Sequence, residues 1–232
     1  MDVRRLREET RPDHEATEAA MPLTEPGLTM ETYQAVLRLL LPVLKSWEDW
    51  AAASAPASIR PMLAARRRSP WIEEDLRSLG GSELRSTETE LLPIHWPAVV
   101  FGSSASQPEH AEPAHAEPGH AETGHAEATD AQPTHQDAAF LGAFYVLEGS
   151  TLGGRFIAQH VETTLGISPG QGDAYFRGHG EHTGAMWREV TEAIARLPEQ
   201  DAEITIAAAK RTFQAFGAVL GTLPQRRLAV HG

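Results

Sequence analysis

The run Phe144-Tyr145-Val146-Leu147-Glu148-Gly149-Ser150-Thr151-Leu152-Gly153-Gly154-Arg155-Phe156 has the apolar spacing of one helix, yet three glycines stand in its middle. Each costs about 1 kcal/mol against alanine in a helix interior, so a chain that keeps all three uses the bareness they create. Gly149 and Gly153 are four residues apart and share one helical face, stripped of side chains so that another surface can come against backbone. Gly154 widens the gap. Two partners meet that description: a neighbouring helix in small-xxx-small packing, or a flat ligand beneath a kinked helix. The run by itself leaves both open.

The rest of the chain reads as helix and turn. Residues 2 to about 20 form a charged helix with Leu6, Thr10, His14 and Glu18 in one stripe and Arg7 beside it; Pro12 bends it or restarts it. Thr29 caps a helix from Thr32 to Trp50, bent at Pro42. Shorter helices follow at Ala55 to Arg68, Glu73 to Leu79 and Glu83 to Leu92. The glycine-interrupted helix runs from Ala138 to Leu165, closed by Gly166 and Pro169, and a Gly-rich connection spans Gly170 to Gly184. Met186 to Leu197 and Asp201 to Leu223 are amphipathic helices, and no strand-type alternation occurs. The expectation is an all-α fold over residues 1–232, a single domain.

Residues 103–137 interrupt that pattern. Pro-Glu-His-Ala-Glu recurs in four variants at a period of five, from Pro108 to Glu127. The segment holds seven Asp or Glu, no Lys or Arg, and five of the eleven histidines: His110, His115, His120, His125 and His135. Without large apolar residues it cannot offset the entropy of ordering, so it is expected to be a disordered insertion. A five-residue period walks around a helix, which disfavours a preformed chelating face.

Composition narrows the function. There is no cysteine, which excludes disulfides and thiolate chemistry, so any metal depends on His, carboxylate or a cofactor. A net charge of −12 argues against nucleic acid as partner, and no apolar stretch reaches the ~18–20 residues of a membrane span. The start carries no apolar signal region, so a soluble cytoplasmic protein is expected.

The chemistry lies in Leu6-Arg7-Glu8-Glu9-Thr10-Arg11-Pro12-Asp13-His14-Glu15-Ala16-Thr17-Glu18. A neutral imidazole ligates haem iron well, and Glu18, one turn on, is placed to accept from its other ring nitrogen. Arg7 lies about 10 Å from His14 along a straight axis, a reach suited to a propionate. Leu6-Arg7-x-x-Thr10-x-x-x-His14-x-x-x-Glu18 resembles the proximal-helix pattern of haem oxygenases, and Gly149-Ser150-Thr151-Leu152-Gly153-Gly154 resembles their distal glycine signature. Tyr145-Val146-Leu147-Glu148-Gly149-Ser150 is similar to the bacterial branch associated with bacteriophytochromes.

The resemblance implies a haem-oxygenase-like helical fold clamping haem b, with His14 as iron ligand and Gly149, Ser150, Thr151, Gly153 and Gly154 over the distal face. It implies ring opening by O2 and an external electron donor, such as ferredoxin or a reductase, to biliverdin, CO and ferrous iron, with a bacteriophytochrome as recipient. Arg7, Glu18, Tyr145, Arg188 and Phe213 are the implied haem contacts, and Arg177 and Lys210 are further propionate candidates. Two positions depart from the family: Ser150 stands where many members carry a distal Asp, and their propionate tyrosine falls at Phe144. Ser150 keeps open the alternative of a haem-binding protein without turnover, and the glycines keep open a helical interaction module.

Overall fold

A computed structural model describes residues 1–80, 94–102 and 133–223. Within them the chain is helical: α1 (Val3–Ala19), α2 (Met30–Ser54), α3 (Arg60–Leu63), α4 (Ser69–Ser78), α5 (Trp96–Phe101), α6 (His135–Leu165), α7 (Ala174–Arg177), α8 (Thr183–Ala195) and α9 (Ala202–Leu220), with no strand among the described residues. The all-α expectation holds.

α6 is the axis. Every residue from Asp137 to Glu148 is buried, so this half is enclosed on all sides, whereas from Gly149 onward only Thr151, Gly154, Ala158 and Val161 are. One hydrophobic core runs from Leu6 to Leu220, and its aromatic centre gathers Trp47 and Trp50 of α2 around Phe140, with Trp96 of α5 edge-on to Trp47. Trp50 stacks on Phe140 at 5.6 Å, a geometry favoured by the ring quadrupoles. α9 lies so close to α6 that a Cβ on Gly142 would drive into the Thr205 carbonyl.

Both ends of α6 are written in local chemistry. The Thr134 hydroxyl accepts from the Asp137 N–H (3.2 Å) and the Asp137 carboxylate accepts from the Thr134 N–H (2.7 Å), a capping box. Gly166 ends the helix in the left-handed region at φ +68°, which a Cβ would strain. Thr29 caps α2, as its sequence predicts.

Several boundaries differ from those expected. α1 passes through Pro12 without a break, because only one N–H is lost in seventeen residues and tertiary contacts hold the remainder. α6 begins at His135, so residues 133–137 belong to the fold and not to the insertion; Asp137 also accepts from Ser58, and His135 Nδ1 lies 2.7 Å from Asp201. Ala55 to Arg68 contains only the short α3, whereas α4 starts earlier than Glu73, with Pro70 in its first turn. Two short helices, α5 and α7, escaped the sequence reading. The proposed helix Glu83 to Leu92 and the repeats of 103–132 lie outside the described residues.

α1 is a polar helix resting on α9. Leu6 and Thr10 are its only buried residues; Thr17 donates to the Phe213 carbonyl (3.1 Å), Gln214 to Asp13 (2.9 Å), and Lys210 pairs with Glu9 at 3.1 Å. A fully buried leucine contributes about 1.5–3 kcal/mol, so Leu6 is the main apolar anchor of the element that carries His14.

Candidate functional site

At 3.6 residues per turn, Tyr145, Gly149, Leu152, Gly153 and Phe156 fall on one face of α6. Beyond Gly149 this face is open. Phe156 is 77% exposed and Leu152 42%, the only large hydrophobic side chains exposed among the described residues. A Cβ on Gly153 would meet nothing within 4 Å, and one on Gly149 would touch only the Trp187 indole, at 3.4 and 3.5 Å. The strip of bare backbone is therefore present, apolar at its margins and unfilled over Gly153. Over Gly153 no neighbouring helix occupies it, whereas Trp187 of α8 lies against Gly149.

Gly154 belongs elsewhere. It is buried on the far side of α6, where a Cβ would drive into the Phe176 carbonyl, so this glycine admits α7 and does not widen the strip. α7 is held there by Asp75, which accepts from the N–H groups of Ala174 and Tyr175, both at 2.8 Å; burial pushes the Asp75 carboxyl above its usual range. Thr151 is likewise off the strip: it is buried and its hydroxyl donates to the Glu148 carbonyl at 2.6 Å. Ser150, one residue from Gly149 and about 100° round the helix, is exposed, donates to the Leu147 carbonyl (2.7 Å) and lies 3.4 Å from Arg68 Nη1. Of the five distal residues read from the motif, Gly149 and Gly153 line the strip, Ser150 stands at its edge, and Thr151 and Gly154 support it from behind.

Tyr145 joins the strip to α1. Its ring packs against Trp187 at 5.1 Å between centroids, and its hydroxyl lies beside Thr10 and Arg7; burial pushes the phenol up, with Thr10 and Arg7 opposing. Asp2, Val3, Arg4, Arg7, Tyr145 and Trp187, with Thr191, Glu192 and Ala195 of α8, line a cleft of about 450 Å³. Phe144 points the other way, 2% exposed beneath the Arg66 guanidinium, so the tyrosine that faces α1 is Tyr145.

His14 lies two turns beyond Arg7 on the same face of α1. Its side chain is 52% exposed, and Nδ1 lies 3.4 Å from Glu18 Oε2, the pairing predicted from spacing. Phe213 meets the imidazole edge-on, centroids 5.5 Å apart at 85°. It therefore flanks His14 from α9. The structure also separates the cations that the sequence left unranked. Lys210 is spent on Glu9, and Arg177 is held by Glu162 and Asp173 on the α7 side. Arg188 is exposed on α8, one residue from Trp187, with no carboxylate partner among the described residues.

Trp187 and Arg68 are the residues that the sequence reading missed. Trp187 read as part of an amphipathic stripe, and nothing in its spacing distinguishes an indole turned into a core from one laid over a glycine. Arg68 read only as the last residue of an expected helix, and only the fold brings it to α6.

A family model described as Heme oxygenase matches residues 114–222, a span that takes in α6 to α9 and leaves out α1. No curated protein and no solved structure matches the chain.

Proposed function

We propose that the chain is a haem oxygenase, a reading supported by the family model over residues 114–222, and that it binds haem b between α1 and α6 and opens it, with O2 and externally supplied electrons, to biliverdin, CO and ferrous iron. The observation that carries this reading is the pairing of a half-exposed imidazole on α1 with an apolar-edged strip on α6 that is bare over Gly153, the two helices meeting at Tyr145.

The donor set suits the group. Among the described residues no three His, Cys, Asp or Glu side chains converge, so there is no cage for a bare ion, and a single imidazole fits an iron that brings four ring nitrogens of its own. Glu18 beside Nδ1 would orient the ring and leave Nε2 to ligate. Arg7 and Arg188, neither engaged by a carboxylate among the described residues, would hold the propionates. Bound haem supplies the redox iron and is itself the molecule consumed.

What the chain contributes is placement and dryness. Gly149 and Gly153 would let backbone come close to a ring bound there, and crowding on that side would favour one of its edges. Leu152 and Phe156 lose exposed apolar surface when the face is covered, which favours binding and keeps water out. Ser150 offers a hydroxyl at the strip's edge without a carboxylate's charge.

In this reading the protein works in the cytoplasm, takes electrons from a ferredoxin or a reductase, and supplies bilin to a bacteriophytochrome. No helix of the described residues is long and apolar enough to cross a membrane.

Single turnover decides between enzyme and holder. The hemin-loaded chain, given reductant and O2, should lose its Soret band while a biliverdin spectrum grows and CO is released. The second reading, a haem-holding protein, is favoured by Ser150 standing in place of the family's Asp; a Soret band that survives the same conditions would select it.

A further inference from the structure

Behind Ser150 lies a cation that the reading above does not use. Arg68 is 3% exposed, yet its guanidinium has no carboxylate at ion-pair distance among the described residues. Arg66 shows the ordinary arrangement by contrast: equally enclosed, it is bonded to both Glu148 and Glu189 and to the Met186 carbonyl. Glu48 does not neutralise Arg68. Its carboxylate accepts from the backbone N–H of Arg68 (2.6 Å) and of Ser69 (3.0 Å) and pairs with Arg67 at 3.4 Å. A charge taken out of water without a counter-ion is costly, and such groups persist where the missing partner arrives with a ligand.

The geometry around the guanidinium shows where that partner would sit. Nη2 donates to the Leu147 carbonyl (2.8 Å), Nη1 reaches the Ser150 oxygen (3.4 Å), and the plane lies 5.4 Å from the Tyr175 ring centroid. The Ser150 hydroxyl donates to that same Leu147 carbonyl at 2.7 Å. The carbonyl thus has two donors and can release one, so the hydroxyl is free to turn outward while Arg68 continues to donate into its oxygen. Ser150 is exposed beside Gly149, so an outward hydroxyl meets whatever lies at the edge of the bare strip. Close by, burial and the neighbouring Arg68, Arg66 and His182 hold the His179 imidazole down at about 4.

We propose that Arg68, acting through the Ser150 hydroxyl, forms an anion-stabilising site at the edge of the bare α6 strip, its counter-ion being a small anionic ligand held in the groove. The pair supplies a fixed positive field where the family usually places a carboxylate, so it favours anionic over neutral ligands at that face. Ser150 touches the ligand and Arg68 is its positioning residue. The proposal rests on haem occupying the groove.

The test is a spectrophotometric titration of the hemin-loaded full chain with azide and, separately, with imidazole. Arg68→Met should weaken azide about tenfold or more while changing imidazole less than about twofold, Arg68→Lys should keep most of the azide affinity, and Ser150→Ala should fall between. Because Ser150 is exposed, its variant keeps the comparison sound even where Arg68→Met lowers stability. Equal azide binding in wild type and Arg68→Met overturns the proposal, as does a parallel loss of azide and imidazole, which marks a purely structural arginine. A wild-type chain that takes up no hemin overturns the functional reading and this proposal together, whereas hemin uptake with azide affinity indifferent to Arg68 overturns this one alone.

Discussion

Gly153 and Gly154 are neighbours in sequence with opposite duties, and alanine separates them. Gly153→Ala adds a Cβ to open space in a helix interior, so the ligand-free protein should gain about 0.5–1 kcal/mol in a denaturant titration while hemin binds more weakly. Gly154→Ala forces a Cβ against the Phe176 carbonyl, which has nowhere to retreat while Asp75 holds α7, and should cost about 1–3 kcal/mol or more. A loss of stability in Gly153→Ala would mean that the strip is closed by packing after all. The motif declared that backbone is bared, because the glycine spacing is local. It could not declare which glycine faces which neighbour, since the deciding atom is a carbonyl on α7, a helix hidden in a Gly-rich connection. His14 and Glu18 were legible because one helix holds both. Arg68 was not, because only the fold brings α6 to it.

Among the elements, α1 is the most weakly fastened of those that build the groove. Leu6 is its main apolar anchor and most of its other ties are polar, so its amides should exchange early in native-state hydrogen exchange, ahead of the enclosed half of α6. Hemin should slow exchange in α1 more than in α2, and equal protection of the two helices would speak against a ligand clamped by α1. At the N-terminal end of α6, the Thr134–Asp137 capping box starts the helix. Removing residues 103–132 should leave the melting temperature and hemin affinity close to wild type, while Asp137→Ala should cost about 1 kcal/mol through the lost cap and the bond to Ser58. The signal for that boundary was in the sequence as Thr-x-x-Asp before an apolar run, masked by its resemblance to the repeats before it.

At the scale of the whole molecule, a single core from Leu6 to Leu220 couples the groove to the polar layer behind α6. That layer gives the fold a pH dependence. His179 titrates near 4 in the folded chain and near its ordinary 6.5 in the unfolded one, so on acidification the unfolded state takes up the proton first. This contribution to stability is intact above about pH 6.5 and falls as the pH drops toward 4, by at most about 1.4 kcal/mol per pH unit. His179→Gln should flatten urea-unfolding stability over that window relative to wild type, and parallel curves would remove His179 as the cause. The helical class was readable throughout, because amphipathic periodicity is a property of each segment by itself. The pairing of faces across the groove was not, since it depends on how α1 lies on α9 and how Trp187 of α8 comes over Gly149.

The central claim is that His14 ties an iron beneath the bare strip of α6, and the most direct measurement is a hemin titration of wild type and His14→Ala followed at the Soret band. The account predicts stoichiometric uptake by wild type, a shifted and weakened band in His14→Ala, and recovery of the wild-type spectrum when free imidazole is added to the variant. Identical Soret bands and affinities in the two proteins would contradict it.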